Sequence, residues 1–177
     1  MAGGVAMNHS LQTARLILRQ PNASDWPAFR DFMASDRGAL FGHTTEGAAW
    51  RSFAAELGHW QIFGYGMWAV TQRGSDAIVA LIGPWCPPDW PEREIGWMVL
   101  DPAIEGTGIA HEAAKASLMH AFTALGWTTA VSYIAPGNTR SAALAARLGA
   151  APDHAATPPA SYAGQVVWRH PLPKDLS

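Results

Sequence analysis

From Tyr65 onward the hydrophobic period changes from helical to alternating, and that change limits the folds open to the chain. Residues 67–71 and 78–82 alternate on either side of a turn at Gly74, Ser75 and Asp76, which is a hairpin pattern. Residues 94–100 read as a further strand. A loop with two glycines follows, then a helical stripe from Ala110 to Leu125 closed by Gly126, then another strand at 128–134. Hairpin-linked strands pair antiparallel, whereas a strand–helix–strand unit calls for a parallel pair. The pattern predicts a mixed sheet with helices on both faces.

The flanking segments fit this frame. Residues 15–19 make a first strand ended by Pro21. Asn22 and Ser24 can cap a helix whose inner face is Trp26, Phe29, Phe32 and Met33. Thr44, Thr45 and Glu46 open a second helix with Ala49, Trp50, Phe53, Ala54 and Leu57 inside and Gly58 near its end. Residues 83–91, with four prolines, read as a loop. A turn at 136–138 leads to a short helix at 141–148, and residues 165–169 form a closing strand. The expected fold is a three-layer α+β domain with a mostly antiparallel sheet of about six to seven strands. One domain is expected over residues 11–171, with loose tails at 1–10 and 172–177.

Composition excludes several function classes. Twelve Lys+Arg against fourteen Asp+Glu give a net charge of −2 with no basic stripe, which argues against nucleic-acid binding. The single cysteine, Cys86, rules out an intrachain disulfide and a cysteine-rich zinc site. His111 and Glu112 begin an H-E-x-x-H pattern, but its fifth position is Lys115, and the histidines show no ligand spacing, so no metal is expected. Absent a signal peptide or long apolar run, a cytoplasmic protein without membrane contact is expected. The 33 alanines against two lysines, Lys115 and Lys174, suggest a GC-rich bacterial source.

The chemistry concentrates in residues 94–114, EIGWMVLDPAIEGTGIAHEAA. Two glycines one residue apart let a backbone approach a ligand, and the unpaired N–H groups of a helix start suit a diphosphate. The same pattern also describes an ordinary tight strand–helix connection. It is neither a Walker A loop nor a full dinucleotide fingerprint.

This segment resembles the acetyl-CoA motif Q/R-x-x-G-x-G/A of the GCN5-related N-acetyltransferases (GNAT). The matching residues are Glu105, Gly106, Thr107, Gly108, Ile109 and Ala110. EIGWMVLDP is similar to the preceding strand of the RimJ/RimL-like, ribosomal-protein-alanine acetyltransferase branch. The likeness continues through RLILRQPNASDWPAF, YGMWAVTQR, IVALIG, GWTTAVSYIAPGNTRSAALAARLGA and YAGQVVW, in family order over most of residues 14–169.

The resemblance implies an acetyl-CoA-dependent N-acetyltransferase that moves the acetyl group directly to a primary amine, either a protein N-terminus or a small molecule. Met98, Val99 and Leu100 would pair with the pantetheine arm and polarise the thioester carbonyl. The backbone of residues 105–110 would hold the diphosphate. Asn138 would reach the pantetheine amides, and Arg140 or Lys115 the ribose phosphate. Glu94 would be the general base, with Glu92 its substitute; the plain alternative is a solvated strand-end acid. Ser141 would protonate the departing sulfur or else cap a helix. Glu105 departs from the family's Gln or Arg, so its side chain is expected to point away from the diphosphate. Two other readings stand beside this one: a degenerate acyl-CoA-binding module, and a dimerisation domain built on the Trp-rich loop. Trp85, Trp90 and Trp97 would line an acceptor pocket or join two subunits, so a monomer or a homodimer fits.

Overall fold

The computed structural model of the protein describes residues 10–42 and 45–173. Eight strands form one sheet: β1 (Ser10–Gln12), β2 (Leu16–Arg19), β3 (Trp68–Gln72), β4 (Ile78–Trp85), β5 (Glu94–Val99), β6 (Ala130–Ile134), β7 (Ala151–Pro152) and β8 (Val166–His170). Their order is β1-β2-β3-β4-β5-β6-β8-β7. Every neighbouring pair is antiparallel except β5–β6, which the crossover helix makes parallel. Two very short strands, β1 and β7, take the count above the six to seven expected. Ser10, assigned to a loose tail, pairs with Arg19; the rest of that tail and residues 174–177 lie outside the described residues.

Four helices cover the sheet: α1 (Trp26–Met33), α2 (Glu46–Phe63), α3 (Ile109–Thr123) and α4 (Thr139–Arg147). Asn22 starts the first helical segment with a reciprocal capping box to Asp25, and Thr45 caps α2 by accepting from Ala48 N–H. Phe29, Phe32 and Met33 of α1 and Ala49 and Phe53 of α2 pack on one face, against Met67, Ala69, Leu81 and Met98. Ile109, Ala113 and Ala114 of α3 pack on the other, against Leu16, Leu18, Val70 and Ile82.

Three sequence expectations are corrected. Gly58, expected near the end of α2, lies well inside it, because the burial of His59 and Trp60 carries the helix on to Phe63, and Gly64 makes the left-handed cap. Trp50 is 58% exposed rather than core. Gly83, Pro84 and Trp85 extend β4 instead of opening the loop. They pair in register with Gly96, Ile95 and Glu94, and so lengthen the ladder that supports β5.

Candidate active site

The sheet opens between β5 and β6. Their parallel pairing is limited to a junction at Glu94 and Val131, where Val131 N–H bonds Arg93 O at 2.9 Å. Immediately beyond, a side chain takes over from the ladder: the Ser132 hydroxyl donates to Ile95 O at 2.6 Å. With its proton so placed, that oxygen accepts from His170 Nε2–H at 2.9 Å, which fixes the imidazole tautomer. Burial pushes His170 down to about 4, so the ring is neutral at the vertex of the wedge. Further along, Trp97 spans the gap and donates its indole N–H to Ser141 Oγ at 3.0 Å.

Strand register identifies the backbone groups that face the gap. Leu100 N–H bonds Val79 O at 2.9 Å, which makes Leu100 and Val79 a hydrogen-bonded pair. Two residues earlier, Met98 lies opposite Leu81 and turns its N–H and C=O toward β4 as well. The cleft edge therefore carries the main-chain groups of Trp97 and Val99. Met98 and Leu100, expected to pair with a pantetheine arm, turn their N–H groups to β4 instead, and of the three residues only Val99 faces the gap. The Val99 carbonyl is already held at 2.7 Å by Arg37, which also bonds Leu100 O at 3.0 Å.

A cleft of about 620 Å³ runs from this edge to the glycine loop. Gly106 (φ 74°) and Gly108 (φ 82°) take left-handed conformations that L side chains rarely adopt. Gly108 thereby becomes the N-cap of α3 and turns the first N–H groups of that helix toward the cleft; Gly106, Gly108 and Ala110 all line it. Glu105 does not point away. It lies at the cleft wall with Oε1 2.8 Å from Arg37 and Oε2 2.8 Å from Arg140. Two guanidinium groups offset the charge that made an inward carboxylate unfavourable. Helix-start donors, two arginines and a long cleft suit a diphosphate with an extended arm, so the residues present fit coenzyme A. Lys115 lines a separate, shallow depression together with Arg15, Glu112 and Met119.

Glu94 is 7% exposed at the start of β5. Its Oε2 accepts from Trp90 Nε1 at 2.6 Å, and Tyr133 backbone N–H also bonds the carboxylate. Burial raises Glu94 to about 7, against the opposing pull of those two hydrogen bonds. A Cβ at neighbouring Gly96 would stand 3.5 Å from Glu94 Oε1, an ordinary contact distance. Glu92, the substitute base, is held by Arg169 at 2.7 and 2.9 Å, which leaves Glu94 the acid at the wedge. Asn138 caps α4 through Oδ1, accepting from Ser141 N–H at 3.1 Å. Ser141 is thus not the cap, and its hydroxyl proton is not used by the Trp97 bond. Thr107 bonds Ile104 O at 2.6 Å and shapes the loop, while Ile109 is buried beneath it.

Sequence reasoning missed Arg37 and Glu56. Arg37 is an isolated cation in an irregular segment and gives no local signal. Glu56 did leave one, an acid at a position where helical spacing calls for an apolar residue.

The fold and the cleft are those of an acetyl-transfer enzyme. Residues 15–151 match the family model described as an acetyltransferase (GNAT) domain, and the chain belongs to that family of N-acetyltransferases. Among solved structures, the acetyltransferase from Agrobacterium tumefaciens is 36% identical, with a TM-score of 0.84 over 92% of this chain and 94% of that one. A GNAT-family protein of Bordetella pertussis is 24% identical, with a TM-score of 0.77 over 92% and 99% of the two chains. RimL, a ribosomal alpha-N-protein acetyltransferase solved in complex with coenzyme A, is 16% identical, with a TM-score of 0.71 over 92% and 97%. The last two likenesses are of fold. Among the described residues, no helix is long and apolar enough to cross a membrane.

Proposed function

We propose that the protein transfers the acetyl group of acetyl-CoA to a primary amine by direct attack within a ternary complex. The observation that carries this reading is the wedge itself: cleft-facing Trp97 and Val99 N–H groups on one arm, Ser141 on the other and a buried acid at the vertex. Trp97 and Val99 N–H are placed to stabilise negative charge developing on a thioester oxygen. Residues 105–110 hold the diphosphate, with Arg37 and Arg140 beside it, and Asn138 presents its side-chain amide to the pantetheine. Glu94 takes a proton from the acceptor nitrogen, and Ser141 supplies one to the departing sulfur. Bound acetyl-CoA supplies the activated acyl group.

Thermal unfolding with acetyl-CoA, with NADH and ATP as controls, tests the cosubstrate. Ligand at a hundred times its Kd adds about 2.7 kcal/mol. For a chain of this size that raises the melting temperature by roughly 5–10 °C. A selective rise followed by coenzyme A release with amines supports the enzyme. A rise without release for any amine supports the acyl-CoA-binding module instead.

The two ion pairs of Glu105 give a second prediction. An anion entering the cleft competes with this carboxylate for Arg37 and Arg140. Replacing it by glutamine removes the competitor, and exposed pairs of this kind are worth up to about 1 kcal/mol. Glu105→Gln is therefore expected to tighten coenzyme A binding by about fivefold in low salt, and by less in high salt. Calorimetric titration at two ionic strengths checks this, and weaker binding in the variant would mean that Glu105 orders the loop instead of occupying its cations.

A further inference from the structure

Helix α2 buries an acid in its apolar stripe. Ala49, Phe53, Glu56 and Trp60 follow one another at helical spacing, and all are buried. Glu56 is 4% exposed and its Oε2 has no hydrogen-bond partner. An apolar residue here would cost nothing, whereas a buried carboxylate oxygen without a donor is expensive to keep. Glu56 lies close enough to Glu94 and Tyr162 for its charge to bear on both.

The surroundings are aromatic, and among the described residues no cation forms an ion pair with Glu56 or Glu94. Trp90 bonds Glu94 through its indole N–H, Tyr162 stands edge-on to Trp90 at 5.2 Å, and Tyr133 stands 6.3 Å from Tyr162. The cations of this region are engaged elsewhere. Arg169 holds Glu92 and Asp153, and Arg93 lies 5.5 Å over the Trp127 ring. Two buried carboxylates and three packed aromatic rings are the groups that an ammonium complements, through ion pairing and through the ring faces.

We propose that Glu56 and Glu94 together receive the acceptor amine as its ammonium, walled by Trp90, Tyr133 and Tyr162, and that the site selects primary amines with no carboxylate beside the nitrogen. The inference rests on the acetyl-transfer reading of Glu94 given above. A carboxylate next to the amine would face both glutamates without a cation to balance it. Within the site one ammonium N–H bond breaks, its electron pair stays on nitrogen, and the proton passes to a carboxylate oxygen and then to water. The second proton that nitrogen loses ends on the coenzyme A sulfur.

Burial and the Glu94 charge raise Glu56 to about 8, so the empty pair holds a proton near neutral pH and loses it as the ammonium arrives. The other groups facing the pair do not supply a cation. His59 of α2 is fixed at both nitrogens, by Tyr65 O at 2.7 Å and by Cys86 N–H at 3.2 Å, and burial lowers its pKa. Burial raises the Cys86 thiol, the Tyr133 phenol and the Tyr162 phenol. Glu92 and Arg93 beside β5 have the partners named above.

Matched amines test the proposal on the unaltered protein: phenethylamine against phenylalanine, and alaninamide against alanine. Quenching of tryptophan fluorescence without acetyl-CoA reads binding, and coenzyme A release reads turnover. The carboxylate-free member of each pair is expected to bind at least about tenfold more tightly. Glu56→Gln is expected to raise KM for the amine about tenfold, with a smaller change in kcat, and to move the acidic limb of the pH profile. Glu56→Asp should recover part of the loss. Equal binding within the pairs, no binding of either member, or an unchanged KM and pH profile in a folded Glu56→Gln protein would overturn it. Amine binding with the stated preference but no coenzyme A release would overturn the acetyl-transfer reading and leave the receptor standing.

Discussion

Glu94→Gln is expected to lower kcat by about 10²- to 10⁴-fold, the range over which a positioned general base acts. The substitution preserves shape, and the glutamine oxygen can still accept from Trp90 Nε1, so the fold and the coenzyme A cleft should survive. What disappears is the proton acceptor. In the unaltered enzyme the base must be ionised to work, so kcat/KM should rise with pH through the region near 7 to which burial brings Glu94. That rise should be missing from the variant, while the melting-temperature gain with acetyl-CoA is retained. Steady-state coenzyme A release across pH, paired with melting curves, checks both. Undiminished turnover would remove Glu94 from the chemistry and reduce it to a strand-end acid held by Trp90.

Features with a sequence period were legible, and features made by distance were not. The alternating segments on either side of Gly74, and the strand–glycine loop–helix unit, place β3 to β5 and α3 nearly where they lie. Pro84 hid the end of β4, because proline lacks the N–H that a ladder residue ordinarily donates. Glu94 and the glycine loop lie within one stretch of chain and carry a family likeness. The side chains that complete the site come from elsewhere. Arg37 precedes α2, Glu56 lies inside it, and His170 ends β8; each reaches the cleft or its vertex only after the sheet has formed. Glu105 was misread because its local context lacks a cation, whereas the fold brings in Arg37 from far away in sequence and Arg140 from the start of α4. Register also decided which main-chain groups face the gap, and one hydrogen bond, from Leu100 N–H to Val79 O, moved the assignment from Met98 to its neighbours.

The same buried acids should make the folded protein lose stability as pH rises above neutral. Glu56 is raised to about 8 and Glu94 to about 7, both mainly by burial, so between these values and the ordinary carboxylate range the native chain holds protons that the unfolded chain has released. Stability falls with pH wherever the native state binds more protons. His170, lowered to about 4, acts in the opposite sense, because its contribution is lost as pH falls below about 6.5. The two effects oppose each other at mildly acid pH, and above about 6.5 only the carboxylates remain. At about 1.4 kcal/mol per pH unit, the interval from 6.5 to 8 corresponds to roughly 2 kcal/mol for Glu56. That is a fall of roughly 4–8 °C in melting temperature for a domain of this size. Glu56→Gln carries no titrating proton at this position, so over the same interval its melting temperature should fall only by the smaller Glu94 contribution and exceed that of the unaltered protein at pH 8. Melting curves at pH 5, 6.5 and 8 distinguish the outcomes. Parallel curves for the two proteins would mean that Glu56 is already ionised and solvated at neutral pH, and that α2 has no uncompensated acid to offer an incoming ammonium.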